Sequence, residues 1–175
     1  MSLPILTMTK HKEQRVGVFV DVQNMYHSAK NLYGANANFK EILEAATADR
    51  KLIRALAYVI KSDSAEEETF FDALFKQGFE VHMKDLQIFA GGSKKGDWDI
   101  GMAVDSIKMA NKLDVVVLVT GDGDFIPLVQ YLQHNKGCLA EVIAFGETTS
   151  QRLMEAADDF IDLSLDKKRF LLKKY

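Results

Sequence analysis

The stretch Val115-Val116-Val117-Leu118-Val119-Thr120-Gly121-Asp122-Gly123-Asp124-Phe125 decides the fold. Five successive apolar residues, four of them β-branched, read as a strand buried on both faces, as in a parallel sheet covered by helices. The run passes straight into two carboxylates spaced by glycines. In an open α/β sheet, chemistry collects at the carboxyl ends of strands. A second apolar run, Val16-Gly17-Val18-Phe19-Val20, also finishes on an acid, Asp21. Two buried strands that deliver aspartate to one edge point to a divalent-metal site and to phosphodiester chemistry.

Outward from these strands, helical and strand patterns alternate. A helix is predicted over 24–33, ended by Gly34, and another over 39–48 with Phe39, Ile42, Leu43 and Ala46 on one side. A strand over 52–60 follows. Ser62 or Ser64 then caps a helix opening on Glu66-Glu67-Glu68, where anions suit the helix dipole. That helix presents Phe70, Phe71, Leu74 and Phe75 and stops at Gly78. Next come a short strand over 79–83, a glycine-rich loop over 91–96 and a helix over 98–111. The strand at 115–119 is followed by a helix over 125–134, stopped by Gly137, and a strand over 138–145. A short helix over 150–156 and an edge strand over 160–163 complete the pattern. This alternation predicts βαβ units and an α/β fold, a three-layer αβα sandwich with a mainly parallel central sheet. No repeat, low-complexity tract or proline-rich linker divides the chain.

At 175 residues, 47% hydrophobic and 27% charged, the chain suits one domain with a sizeable core. The single cysteine, Cys138, excludes an intrachain disulfide and reads as a packed core thiol in a reducing compartment. No apolar run approaches the roughly 20 residues of a membrane span. Met1 to Gln14 lacks a signal peptide's basic segment and cleavage site, and reads as a loose lead-in. A cytoplasmic protein with no membrane partner is expected. The net charge of −3 offers no global basic field for nucleic acid, although aspartates gathered around a metal count as negative here. Local cations are Lys94-Lys95 in the glycine-rich loop, and Lys167-Lys168-Arg169 with Lys173-Lys174 in a basic tail over 164–175. The tail reads as a solvated helix end or as an RNA-touching arm.

The candidate ligands are Asp21, Asp99, Asp105, Asp122 and Asp124, with Asn24 and Asp97 nearby in sequence. Asp99 and Asp105 are six residues apart, so one helix cannot aim both at one ion; Asp99, in the first turn, is better placed. Taken singly, Asp99 also reads as a helix N-terminal carboxylate, and Asp122 and Asp21 as turn or cap residues. Taken together, acids at several compatible strand and helix ends favour a site. Oxygen-only ligands select Mg²⁺ or Mn²⁺ over zinc. The four histidines, His11, His27, His82 and His134, form no pair at metal-ligand spacing, and His82 reads as half-buried strand structure. Gly91 to Gly96 is no phosphate loop, because Asp97-Trp98 stands where Lys-Ser/Thr is required. No Gly-x-Ser-x-Gly elbow is present. In Asp21-Val22-Gln23, glutamine stands where a phosphatase would carry its acid/base carboxylate.

Three segments carry a resemblance: Phe19-Val20-Asp21-Val22-Gln23-Asn24-Met25-Tyr26, Lys95-Gly96-Asp97-Trp98-Asp99-Ile100-Gly101-Met102-Ala103-Val104-Asp105, and Thr120-Gly121-Asp122-Gly123-Asp124-Phe125-Ile126-Pro127-Leu128. In this order they resemble the three motifs of the NYN domain, in the LabA-like branch of the PIN-like nuclease superfamily. The resemblance covers roughly residues 15–163. It implies a PIN-like sandwich and a metal-dependent RNase site with Mg²⁺ or Mn²⁺. Asp21 would be the first-strand metal carboxylate and Asn24 its polar companion. Asp99 would be the carboxylate at the helix mouth, and Asp122 with Asp124 the acids after the fourth core strand. Asp105 matches a position that is commonly acidic but ranks lower on geometry. Asp97 departs from the motif, which often has an apolar residue or glycine there, and Asp158 is a candidate for a further acid.

The expectation is therefore RNA hydrolysis by metal-activated water. Asp21, Asp99 and Asp122 would hold the metal, and Asp124 would support it or join it. Lys94 and Lys95 would neutralise flanking phosphates, or form a solvated loop. Tyr26 and Trp98 would stack on a base, or pack. The rival readings are a catalytically silent RNA- or protein-binding module on the same fold, and a phosphotransfer domain. A homodimer face is available if Phe70, Phe71 or Phe75 is exposed.

Overall fold

The computed structural model describes residues 10–62, 64–92 and 94–172; the side chains of Lys94 and Lys95 lie outside the described part. Strand β1 (Arg15–Asp21) is the axis of the molecule, with Val16, Val18, Phe19 and Val20 all fully buried. It leads into α1 (Val22–Tyr33), the two-residue strand β2 (Asn36–Ala37) and α2 (Phe39–Thr47). Then follow β3 (Lys51–Lys61), α3 (Ala65–Lys76) and β4 (Glu80–Asp85). The glycine-rich segment is a hairpin, β5 (Gln87–Ile88) against β6 (Lys94–Lys95), turning through Gly91 and Gly92 at φ 101° and 84°, a backbone that favours glycine. Next come α4 (Asp99–Met109), β7 (Val115–Val119), α5 (Ile126–Asn135), β8 (Leu139–Ala144), α6 (Gln151–Ala156) and β9 (Asp159–Asp162). The chain ends its described part in α7 (Lys167–Phe170) and β10 (Leu171–Leu172).

Six strands form one sheet in the order β4-β3-β1-β7-β8-β9, and every pairing in it is parallel. The chain builds one half outward from β1 through β3 to β4, then returns and builds the other through β7, β8 and β9. The reversal falls between β1 and β7, the topological switch point where doubly wound sheets open a crevice at their carboxyl edge. Residues on one face of the sheet pack with Met25, Ala29, Phe39, Ile42 and Leu74 of α1–α3. Phe19, Leu56, Val116 and Leu118, on the other, pack with Met102, Leu128, Leu132 and Leu153 of α4–α6. This is the three-layer αβα arrangement expected from the sequence.

Local chemistry fixes most boundaries. Gly34, at φ 60°, closes α1, and Asn38 accepts the Glu41 N–H to start α2. Ser64 precedes α3 without a side-chain cap, and Ser62 instead bonds the Glu67 carboxylate. Cys138 is buried, and His82 lies half-buried on β4, both as predicted. Phe70 and Phe71 pack partly against the core, whereas Phe75 is 72% exposed. Within the basic segment after β9 the cations of α7 are exposed and Phe170 anchors the helix, while Lys173 and Lys174 lie outside the described residues. Phe170 is buried, β10 pairs antiparallel with β2, and Arg169 Nε lies 2.7 Å from Glu41 Oε2. Among buried charges, Arg50 donates to both carboxylate oxygens of Glu141 at 2.9 Å and also to the carbonyls of Ala46 and Thr47. That pair fastens the turn after α2 to β8 beneath the helix layer. No helix among the described residues is long and apolar enough to cross a membrane.

Candidate metal centre

The carboxyl ends of β1 and β7 lie side by side, because Val20 pairs with Val119. Asp21 closes β1 and caps α1, accepting the Asn24 N–H at 3.2 Å on one oxygen and the Thr120 hydroxyl at 3.2 Å on the other. Asn24 answers across the gap, its carboxamide oxygen accepting the Gly121 N–H at 3.0 Å. The first turn of α1 is thereby stitched to the turn that follows β7. Within that turn Asp122 accepts the Asp124 N–H at 2.9 Å, opening one short helical turn before α5.

The glycines beside these acids serve close packing, not an unusual backbone. A Cβ on Gly121 would lie 2.9 Å from Thr149 Oγ1 and 3.1 Å from the Thr148 carbonyl oxygen; one on Gly123 would lie 2.9 Å from Ser150 Oγ. The Ser150 N–H also donates to the Gly121 carbonyl at 3.0 Å. The loop between β8 and α6 therefore presses on the acidic turn and fixes its height above the sheet.

Asp99 arrives from the other side, as the first residue of α4. Trp98 sets that helix start. Its indole N–H donates to the Val59 carbonyl at 2.8 Å, and its ring packs against Tyr58 and His82 at centroid distances of 5.4 and 6.4 Å. Gly101 lies beneath the ring, where a Cβ would come within 2.6 Å of the indole. Lys84 covers the ring and donates to the Asp97 carbonyl at 3.1 Å.

One oxygen from each of Asp99, Asp122 and Asp124 lies within 4.8 Å of the others. The set suits a hard cation, since an octahedral Mg²⁺ shell measures about 4.2 Å across. Asp21, Asp97, Asp99 and Asp122 line a cleft of about 400 Å³ with the polar face of α1. The acids repel one another. Burial first, and then Asp21, Asp122, Asp97 and Asp124, push the Asp99 carboxyl up to about 6. Burial also raises Asp21, opposed by its bonds from Asn24 and Thr120, with Asp122 and Asp97 adding to the rise. A cation bound among these oxygens would relieve that repulsion.

The structure thus brings together Asp21, Asn24, Asp99, Asp122 and Asp124, with Asp97 beside them. Other sequence candidates lie elsewhere. Asp105 faces β3 and β4, where the Tyr58 hydroxyl donates to it at 2.8 Å and His82 Nδ1 lies 3.9 Å away. Burial, and then the Asp105 carboxylate, hold the Tyr58 phenol far above its ordinary range. Asp158 is spent before β9, accepting from the Ala140 N–H and the Gln133 amide. Trp98 packs as described, and Tyr26 is 43% exposed outside the cleft lining, edge-on to His27 and beneath Lys30. The predicted roles of Lys94 and Lys95 rest on side chains outside the described residues. Sequence reasoning missed the part of α1 that lines the cleft beyond Asn24. Its signal was present, since Asn24, His27 and Asn31 recur at helical spacing away from the buried Met25 and Ala29, with the buried Ser28 between the two faces.

Two known proteins are similar to this chain across nearly their whole length. The chain is 27% identical over 170 residues to the Low amplitude and bright protein LabA of Synechococcus elongatus, covering 93% of this chain and 90% of that protein. It is 34% identical to a Vibrio parahaemolyticus protein of unknown function whose crystal structure matches with a TM-score of 0.84, over 94% of this chain and 100% of that one. The family model of the NYN domain matches residues 15–165, from the start of β1 to beyond β9 and through every carboxylate of the cleft. With the three motifs, the parallel sheet and the converging acids in agreement, the chain belongs to the NYN domain family.

Proposed function

We propose that this protein is a metal-dependent ribonuclease that hydrolyses RNA phosphodiester bonds. The observation that carries the reading is the meeting of Asp99, Asp122 and Asp124 within 4.8 Å at the carboxyl edge of the sheet. The family supports it, because the NYN domain implies a PIN-like nuclease fold. Asp99, Asp122 and Asp124 would hold Mg²⁺ or Mn²⁺. When bound, such an ion supplies charge to the phosphoryl oxygens and lowers the pKa of a bound water. Asp21 is held by Asn24 and Thr120 in a fixed orientation at the same cleft, where it can take a hydrogen bond from water or from a ribose hydroxyl. The rigid turn around Gly121 and Gly123 keeps the acids in place, so their mutual repulsion is relieved by binding a cation.

The test pairs calorimetry with Mg²⁺ and Mn²⁺ against cleavage of labelled single-stranded and structured RNAs. It compares wild type, Asp122→Asn and, as an acid outside the cleft, Asp105→Asn. Wild type and Asp105→Asn should bind metal and cleave. Asp122→Asn should stay folded and lose about two orders of magnitude in turnover. A catalytically silent binding module would show equal, negligible turnover in all three, and that result would overturn the proposal.

A further inference from the structure

The acids form only part of the cleft. The rest belongs to α1, from the outward Asn24, His27 and Asn31 to the buried Ser28, with Gln23 beside them and Thr148 from the loop after β8. The Thr148 hydroxyl donates to Ser28 Oγ at 3.1 Å, tying that loop to the helix. Asn24 has committed its carboxamide oxygen to Gly121, so its NH₂ is the end left to donate. All six side chains finish in a hydroxyl, a carboxamide or an imidazole. Among the described residues, no aliphatic side chain and no Phe, Tyr or Trp lines the cleft, and the His27 imidazole is its one ring.

That lining discriminates between parts of a nucleic acid. Pockets that read bases offer flat apolar or aromatic faces for stacking. Of the nearby rings, Trp98 is packed on Tyr58, Tyr26 lies outside the lining, and His27 is engaged edge-on with Tyr26 at a centroid distance of 5.5 Å. Phosphoryl oxygens and ribose hydroxyls instead take N–H and O–H donors. Asn24 to Asn31 covers about 10 Å of helix, long enough to follow a strand past a single phosphate.

Resting on the ribonuclease reading for its substrate class, we infer that the α1 face is a sugar–phosphate subsite. His27 and Asn31 hold the RNA strand by its backbone, and cleavage is therefore indifferent to base identity.

Fluorescence anisotropy with labelled U12, A12 and C12 RNAs in Ca²⁺ buffer tests binding, and steady-state cleavage in Mn²⁺ tests turnover. Wild type should bind the three oligomers within about threefold of one another. His27→Ala and Asn31→Ala should each weaken binding about tenfold or more, the worth of one hydrogen bond to a charged group. The factor should be the same for every base, with KM rising, kcat nearly constant and metal affinity by calorimetry unchanged. Both residues are exposed on a helix that alanine favours, so folding is not at risk. Undiminished binding and cleavage in both variants would overturn the subsite while leaving the ribonuclease standing, as would a loss confined to one base. Wild type that binds no RNA would overturn both.

Discussion

Asp99 should make the protein less stable at neutral pH than it need be, and Asp99→Asn measures by how much. Its carboxyl is pushed up from the ordinary aspartate value of 3.8 to about 6 by burial and four neighbouring carboxylates. The folded chain therefore binds a proton that the unfolded chain has already released. Stability from this group is fully present below about pH 4, falls as pH rises to about 6, and stays low above it. At about 1.4 kcal/mol per pH unit the full difference is roughly 3 kcal/mol. Asp99 is only half-buried, so solvent screening reduces this to about 1.5 kcal/mol. Asparagine forfeits the attraction between a carboxylate and the N-terminus of α4, about 0.5 kcal/mol. The net expectation is a gain of about 1 kcal/mol at pH 7.5, or about 2–4 °C in melting temperature for a chain of this size. Thermal and urea unfolding in EDTA check it, repeated at pH 4, where most of the gap should close. Excess Mg²⁺ should reverse the order, because wild type gains binding free energy that the variant, short of one oxygen, cannot match. An asparagine variant no more stable than wild type at pH 7.5, or a gap as wide at pH 4, would refute the electrostatic reasoning.

Two further expectations concern the scaffold. Gly121→Ala places a methyl against the backbone of Thr148 and Thr149, so the acidic turn must shift. It should cost about 1–3 kcal/mol by urea denaturation and lower metal affinity more than tenfold by calorimetry, and unchanged metal affinity would count against the packing account. Glu141→Ala strips the buried Arg50 guanidinium of its carboxylate, and should destabilise the fold by about 3–5 kcal/mol by urea midpoint. A loss below about 1 kcal/mol would mean that the carbonyls of Ala46 and Thr47 and the Gln14 carboxamide oxygen suffice to hold the guanidinium.

The central strands were legible because burial on both faces forces continuous β-branched runs, as in Val115 to Val119. The acids were legible because they stand where those runs stop. Residues with partners remote in sequence were not. Nothing beside Asp105 announces Tyr58, and nothing beside Asp158 announces the Ala140 N–H. Trp98 admitted two readings because the rings that enclose it, Tyr58 and His82, lie on strands β3 and β4. The hairpin of β5 and β6 is too short for any period to register. In the segment after β9, Lys167-Lys168-Arg169 are the exposed cations of a helix, and the sequence held no sign that Phe170 would be buried. The polar stripe of α1 was visible as spacing, but every surface helix has a polar side. Only the cleft against which it lies gives it meaning.

The position of β1 at the middle of the sheet sets an order of assembly. Its two neighbours come from residues 51–61 and 115–119, and Asp21 meets Thr120 across 99 residues of chain. Such long-range parallel pairing is slow, because loop closure must precede any reward from contact. A nascent chain that has reached Asp99 already holds that residue and Asp21, yet one edge of β1 is still bare. Asp122 and Asp124 do not yet exist in it. Asp99, Asp122 and Asp124 meet only when β7 inserts beside β1, so the insertion that completes the core also completes the site.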